Sequence, residues 1–199
     1  MQPRGRKSER GNSVLEFALV AMPLVTMLLG VVVVGLNLGR SVQCSQVCRD
    51  TGSMYVRGVD FSRDGNKDIL VRMAQGLGIT RTGGTGVIIL SKVTWVPASQ
   101  CTALSLSPCN SNRHVVTQRI VIGNQALRAS ALGTPNSGLI DSSGIVSNYM
   151  QEGSAVANLV GLQLSQNEFA YVAESYFSSP DYDLPGFQSG SGVYSRSIF

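Results

Sequence analysis

A run of 22 residues without a charged side chain, from Phe17 to Leu38, most constrains how this chain can fold. A helix rises about 1.5 Å per residue, so this run spans roughly 33 Å, which matches the hydrocarbon core of a bilayer. In lipid each backbone polar group must bond within the segment, so we expect a helix despite the many valines. A core helix of this length would show a polar stripe, and this run shows none. The sequence therefore predicts a transmembrane segment over about 17–38.

The charges before this run predict its orientation. Four cations precede it and only Glu9 opposes them, the cations being Arg4, Arg6, Lys7 and Arg10. A basic flank normally stays in the cytoplasm, so the residues after about 40 are expected outside the membrane. This tail also accounts for most of the net charge of +4, so we expect no nucleic-acid binding. The apolar run is too long for a cleaved secretory signal, and no A-x-A-like site follows it.

Four positions in the predicted helix suggest more than simple anchoring. Glu16 lies at the inner edge of the span, where a carboxylate is costly to insert. It either reaches the headgroups or is kept to pair with a cation when subunits pack side by side. Pro23 lacks an N–H, which predicts a kink or local unwinding. Gly35 and Gly39 have the G-x-x-x-G spacing that allows close helix packing.

The segment GNSVLEF, residues 11–17, resembles the processing motif of Flp-type prepilins. The resemblance implies that a membrane prepilin peptidase cuts between Gly11 and Asn12 and removes a basic leader, residues 1–11. Glu16 would become the fifth residue of the mature chain and pair with the new α-amino group of a neighbouring subunit. Such pairing would offset the desolvation of both charges. Phe17 would pack beside it.

Residues 16–24 and 47–55 are similar to the start and the helix continuation of TadE-like minor pilins. The resemblance covers about the first 58 residues. It implies one helix over 12–58, an extracytoplasmic domain over 59–199, and a role in assembling the Tad/Flp pilus used for adhesion and secretion. The implied partners are other pilin and Tad pilus subunits, the prepilin peptidase and inner-membrane lipid. The alternative is an uncleaved, membrane-anchored adhesin or scaffold in the same bacterial inner membrane.

Alternating and β-branched segments after the helix predict a small antiparallel sheet. A short amphipathic helix is expected first, at 68–77. The predicted strands cover 87–96, 113–122 and 168–177, with an edge strand at 192–199. The predicted fold class is therefore α+β: a pilin-like long N-terminal helix followed by a small antiparallel sheet domain.

The four cysteines divide into two pairs. Cys101 and Cys109 enclose a short loop between two predicted strands, which favours a disulfide in an oxidising compartment. Cys44 and Cys48 lie one helical turn apart, a poor geometry for a mutual bridge. They either pack as small apolar residues or pair with another subunit. The C-x3-C and C-x7-C spacings are unlike a four-cysteine zinc site.

The residue inventory indicates no catalysis, metal or cofactor. The single histidine, His114, falls on a predicted strand and reads as a surface residue. The chain contains no nucleophile elbow, H-E-x-x-H or phosphate loop, so a membrane-tethered enzyme is not expected. Asp181 and Asp183 lie between prolines and indicate a solvated loop rather than a calcium site. Tyr171, Tyr176 and Tyr182 are expected in the sheet and at its rim.

Overall fold

The computed structural model describes residues 10–178 and 192–199, and it begins with a helix, α1, at Arg10–Val56. The chain divides into two units, which are treated separately below. The first contains α1 up to residue 39, and the second contains residues 40–178 and 192–199. The predicted long N-terminal helix is confirmed.

In its first unit α1 is apolar on all sides and exposed. Phe17, Met22 and Met27 are each about three-quarters exposed, at 75%, 76% and 75%. The helix continues through Pro23 without a break, so the expected local unwinding does not occur. One turn later the Thr26 hydroxyl donates to the Met22 carbonyl, at 2.9 Å. This part of α1 has the surface of a helix that meets lipid or other helices.

The second unit contains a four-stranded antiparallel sheet. Its strands are β1 at Gly86–Val96, β2 at Arg113–Gly123, β3 at Phe169–Ser178 and β4 at Gly192–Ile198. Their order across the sheet is β2-β1-β3-β4. Two short helices accompany them, α2 at Asp64–Met73 and α3 at Ala98–Ala103. The α+β fold class and all four predicted strands are confirmed.

Helix α2 departs from the prediction in its bounds. It begins at Asp64, four residues earlier than expected, and residues 75–77 form a separate 3-10 turn. The Asn66 side chain donates to the Asp60 carbonyl at 2.7 Å and links the first turn of α2 to the preceding loop. Asp64 also places its negative charge in the first turn, where the helix dipole favours it.

The sheet is covered on both faces. On one face, residues 44–55 of α1 and helix α2 pack against alternate strand residues, with Phe61, Leu70 and Ile88 fully buried. On the other face, the long segment 124–164 supplies Leu132 and neighbouring apolar side chains. Because both faces are covered, β1 is buried along almost its whole length. Its near-continuous apolar sequence follows from that position.

Two neighbouring residues of α2 test this packing. Leu70 is fully buried, whereas Ile69 beside it is 50% exposed. We expect Leu70→Ala to lower the free energy of unfolding by about 2–5 kcal/mol, because it leaves a cavity in the core. Ile69→Ala should cost less than about 1 kcal/mol. Urea denaturation of the full chain in mild detergent, followed by Trp95 fluorescence, measures both, and equal losses would contradict the described helix orientation.

Candidate functional site

The residues predicted to mediate assembly lie on the exposed part of α1. Phe17 is exposed, and Glu16 beside it is also exposed. A Cβ atom built at Gly35 or Gly39 meets no atom within 4 Å, so the chain itself leaves both positions open. Gly11 and Asn12 belong to the first turns of α1. These positions offer a surface with room for a close neighbour.

Beyond residue 40, α1 presents a face of small residues to the sheet. The Cys48 thiol lies 3.2 Å from the Ala173 carbonyl and 3.5 Å from that of Ser195. The Cys44 thiol lies 3.2 Å from the Ser175 hydroxyl. Both thiols are free and fully buried. The first of the two sequence interpretations, packing as small residues, therefore describes them.

Burial keeps the Cys44 thiol protonated. Desolvation raises its pKa, the hydrogen bond with Ser175 opposes that rise, and nearby Cys48 adds to it. A thiol with a raised pKa carries little thiolate at neutral pH and reacts slowly. It can still donate to the strand carbonyls, as its position against β3 and β4 allows.

One turn further, Gly52 allows the C-terminal residue to lie against the helix. A Cβ at Gly52 would stand 2.2 Å from a ring carbon of Phe199, so any side chain there would displace the ring. Phe199 and Tyr171 exchange two backbone hydrogen bonds, at 2.9 and 3.0 Å, which extend the β3–β4 ladder by one pair. Glycine costs helix stability, and here the close approach explains its presence.

Tyr55 completes this face of the helix. Its hydroxyl donates to the Gln118 side-chain oxygen at 3.0 Å, and its ring meets that of Tyr171 edge-on at 5.2 Å. Burial raises the pKa of Tyr55, and its nearness to Tyr171 adds to the rise. Tyr55 therefore serves as a neutral hydrogen-bond donor between α1 and β2.

This helix also carries the similarity to known proteins. Residues 11–52 match the family model described as TadE-like protein. The N-terminal helix of this chain is therefore similar to that of TadE-like proteins. No curated protein and no solved structure shows significant similarity to the chain. The match ends where α1 lies on the sheet, so the TadE-like segment includes the exposed apolar stretch and the small residues Cys44 and Cys48.

A buried polar cluster lies on the opposite face of the sheet, and no sequence pattern predicted it. Glu174 of β3 is 1% exposed and accepts hydrogen bonds from the Ser130 hydroxyl, the Ala131 N–H at 2.9 Å and the Tyr194 hydroxyl at 2.6 Å. A buried carboxylate is stable only when such donors replace water. Three elements, β3, β4 and the turn at 130–133, therefore meet at one side chain.

Arg119 of β2 bonds to the other end of the turn at 130–133. It is 5% exposed and donates to the Gly133 carbonyl at 2.7 Å. Burial lowers its pKa to about 10, while the charge of Glu174 and the nearness of Tyr55 oppose the decrease. Together Arg119 and Glu174 fix the turn that places Leu132 in the core. Charged residues in alternating strand segments normally indicate a solvent-facing side, which is why sequence reasoning missed this cluster.

The remaining sequence predictions have mixed outcomes. The Cys101–Cys109 disulfide is present, with its Cα atoms 6.0 Å apart. His114 is half-buried rather than a surface residue, and the centre of its ring lies 4.9 Å from that of the Trp95 ring. Partial burial lowers the pKa of His114. Tyr171 and Tyr176 lie in β3 as expected.

Three of the residues discussed above, Asp181, Tyr182 and Asp183, lie outside the described residues. Within residues 10–178 and 192–199, no group of three or more His, Cys, Asp or Glu side chains could hold a metal ion.

Thiol labelling tests the burial of the cysteine pair. We expect maleimide to leave the folded, detergent-solubilised chain unmodified and to add two groups after denaturation, at Cys44 and Cys48. Val42 lies in α1 two residues before Cys44, outside the buried face, and is 55% exposed. Val42→Cys should therefore add one group without denaturation. Intact mass measures all three results, and an intersubunit disulfide at Cys44 or Cys48 in the wild-type chain would contradict the burial.

Removing the charge of Glu174 should destabilise the sheet. Glu174→Gln keeps the size of the side chain but puts an amide donor among donors, so we expect a loss of about 2–4 kcal/mol. Glu168, whose carboxylate accepts only from the Ser165 N–H among the described bonds, is the control. Glu168→Gln should stay within about 0.5 kcal/mol of wild type. Urea denaturation in mild detergent measures the difference.

Proposed function

We propose that this chain is a TadE-like minor pilin that takes part in assembly of a Tad/Flp-type pilus by lateral packing of α1. One observation carries the proposal: the TadE-like match over residues 11–52 includes the stretch of α1 whose apolar side chains are exposed on every side. Among the described residues, α1 is the one helix long and apolar enough to cross a membrane. The exposed stretch therefore supports anchoring and assembly through the same segment.

The energetic reason is the large apolar surface of this stretch. A fully buried Val, Leu, Phe or Met side chain gains about 1.5–3 kcal/mol over an exposed one. Lipid or other pilin helices must therefore surround the stretch. Within lipid the hydrophobic effect no longer drives association, so close backbone approach decides which helices pack. Gly35 and Gly39, both open on the helix surface, would supply that approach.

Processing would prepare the helix for this packing. We propose that prepilin peptidase cuts between Gly11 and Asn12, which leaves an α-amino cation on Asn12. Glu16 of a neighbouring subunit would pair with that cation, and Phe17 would pack beside the pair. A carboxylate and an ammonium group that leave water together cost much less than either group alone. The pair would thus fix the axial register of adjacent helices.

The location follows from the same segment. The basic residues before α1 favour a cytoplasmic N-terminus, with the sheet domain on the extracytoplasmic side of the inner membrane. In this arrangement the partners are other pilin and Tad pilus subunits, and inner-membrane lipid surrounds the apolar part of α1. The protein would act structurally, without an enzymatic step of its own.

Substitutions at Glu16 test the packing. We expect Glu16→Ala and Glu16→Gln to lower co-purification with pilus subunits and fibre yield at least about tenfold, which corresponds to about 1.4 kcal/mol of lost pairing. Glu16→Asp, which keeps the charge, should retain part of both. Val20→Ala in the same helix is the control and should behave as wild type. Unchanged fibre yield and co-purification in Glu16→Ala would contradict the proposal.

Mass analysis of the membrane fraction tests the processing. We expect a mature chain that begins at Asn12, and a full-length chain when Gly11→Val blocks the cut. Loss of piliation in that variant would agree with processing before assembly. A wild-type chain that retains residues 1–11 would favour the uncleaved adhesin or scaffold instead.

A further inference from the structure

The two edge strands of the sheet, β2 and β4, differ in how far other segments of the chain cover them. The edge at β2 is covered by the segment 139–157. The N–H of Val146 donates to the Thr117 carbonyl at 2.9 Å, and the N–H of Ala157 donates to the His114 carbonyl at 2.8 Å. Isolated bridges from the same segment accompany them. The backbone of β2 is therefore largely satisfied on its outer side.

The edge at β4 is open among the described residues. Because Phe199 and Tyr171 exchange both backbone hydrogen bonds, the alternation of an antiparallel pair fixes which β4 residues face β3. Ser195 and Ser197 face β3. The backbone N–H and C=O groups of Tyr194, Arg196 and Ile198 point away from the sheet, and no described backbone group bonds to them. Within the described part of the chain, the outward backbone groups of these three residues are thus available for pairing.

Two cations lie beside this edge on the sheet face that carries Glu174. Arg196 is exposed and belongs to β4 itself. The exposed Arg128 guanidinium carbon lies 4.1 Å from the centre of the Tyr194 ring. The ion pairs within the described residues involve other cations, namely Arg63, Lys67 and Arg81. Glu174 is the nearest carboxylate by strand position, and its oxygens already accept three hydrogen bonds.

We propose that the open edge of β4 binds an extended segment of a second protein by strand addition, and that this segment carries acidic side chains opposite Arg196 and Arg128. Backbone bonds to Tyr194, Arg196 and Ile198 supply affinity in this mode of recognition, and alternate side chains supply specificity. Acidic residues on the added strand would pair with the two arginines, which form no ion pair within residues 10–178 and 192–199.

The charges favour an acidic partner over a second copy of this chain. Strand pairing between two copies would bring Arg196 and Arg128 of both close to one another. Like charges across a strand pair are destabilising. The edge uses none of the helix residues of the pilin proposal, so it describes a separate contact of the extracytoplasmic domain.

Synthetic peptides serve as the probe. We use two fluorescent heptapeptides of alternating sequence, Val-Glu and Val-Lys, with the full chain in nonionic detergent, and we measure binding by fluorescence anisotropy. We expect the acidic peptide to bind at least tenfold more tightly than the basic one. Arg196→Pro should weaken that binding at least tenfold, because it removes an outward N–H while leaving the β3 ladder intact. Arg196→Gln keeps the N–H and should weaken it several-fold.

The controls separate pairing from misfolding and from general charge. Ile198→Pro removes a different outward N–H and should reproduce the loss if Arg196→Pro fails to fold by circular dichroism. Arg57→Gln changes an exposed arginine just after the end of α1 and should bind as wild type. Equal binding of both peptides, unchanged binding by both proline variants, or no binding would overturn the proposal. So would a disulfide-linked homodimer formed efficiently by Arg196→Cys, which would indicate self-pairing.

Discussion

The close contact between the second part of α1 and strands β3 and β4 is the interaction on which the described domain depends. Small residues on the helix make it possible: the thiols of Cys44 and Cys48 reach strand carbonyls, and Gly52 leaves room for the Phe199 ring. Larger side chains at these positions would hold the helix away from the sheet. The core would then lose its helix-side half, because α2 and the strands pack against the same surface.

One helix thus has two kinds of surface along its length. From residue 17 to residue 39 it is apolar all round and largely exposed, and from residue 40 it has a buried small-residue face and a polar outer face. The TadE-like match spans both parts. A lipid-facing surface and a sheet-packing surface impose different rules on side chains, since the first excludes charge everywhere and the second only where the sheet lies.

On the face of the sheet covered by the segment 124–164, packing depends on a polar cluster as well as on the size of the side chains. Glu174 and Arg119 fix the turn at 130–133, and Tyr194 links the same carboxylate to β4. Such a cluster is stable only when each buried group has partners, so it makes the positions of three elements depend on one another. The long segment 124–164, which has few repeating hydrogen bonds of its own, is held in this way.

Local sequence pattern was enough to predict α1, the four strands and the disulfide. All-round apolarity predicted α1, alternation predicted the four strands, and the short loop between β1 and β2 predicted the Cys101–Cys109 disulfide. The tertiary structure alone decided the strand order, the burial of Glu174 and Arg119, the contact of Gly52 with Phe199 and the position of β4 at an edge that no described strand pairs with. These depend on residues far apart in the chain, and a strand's own sequence specifies which face is apolar but not which neighbour it pairs with.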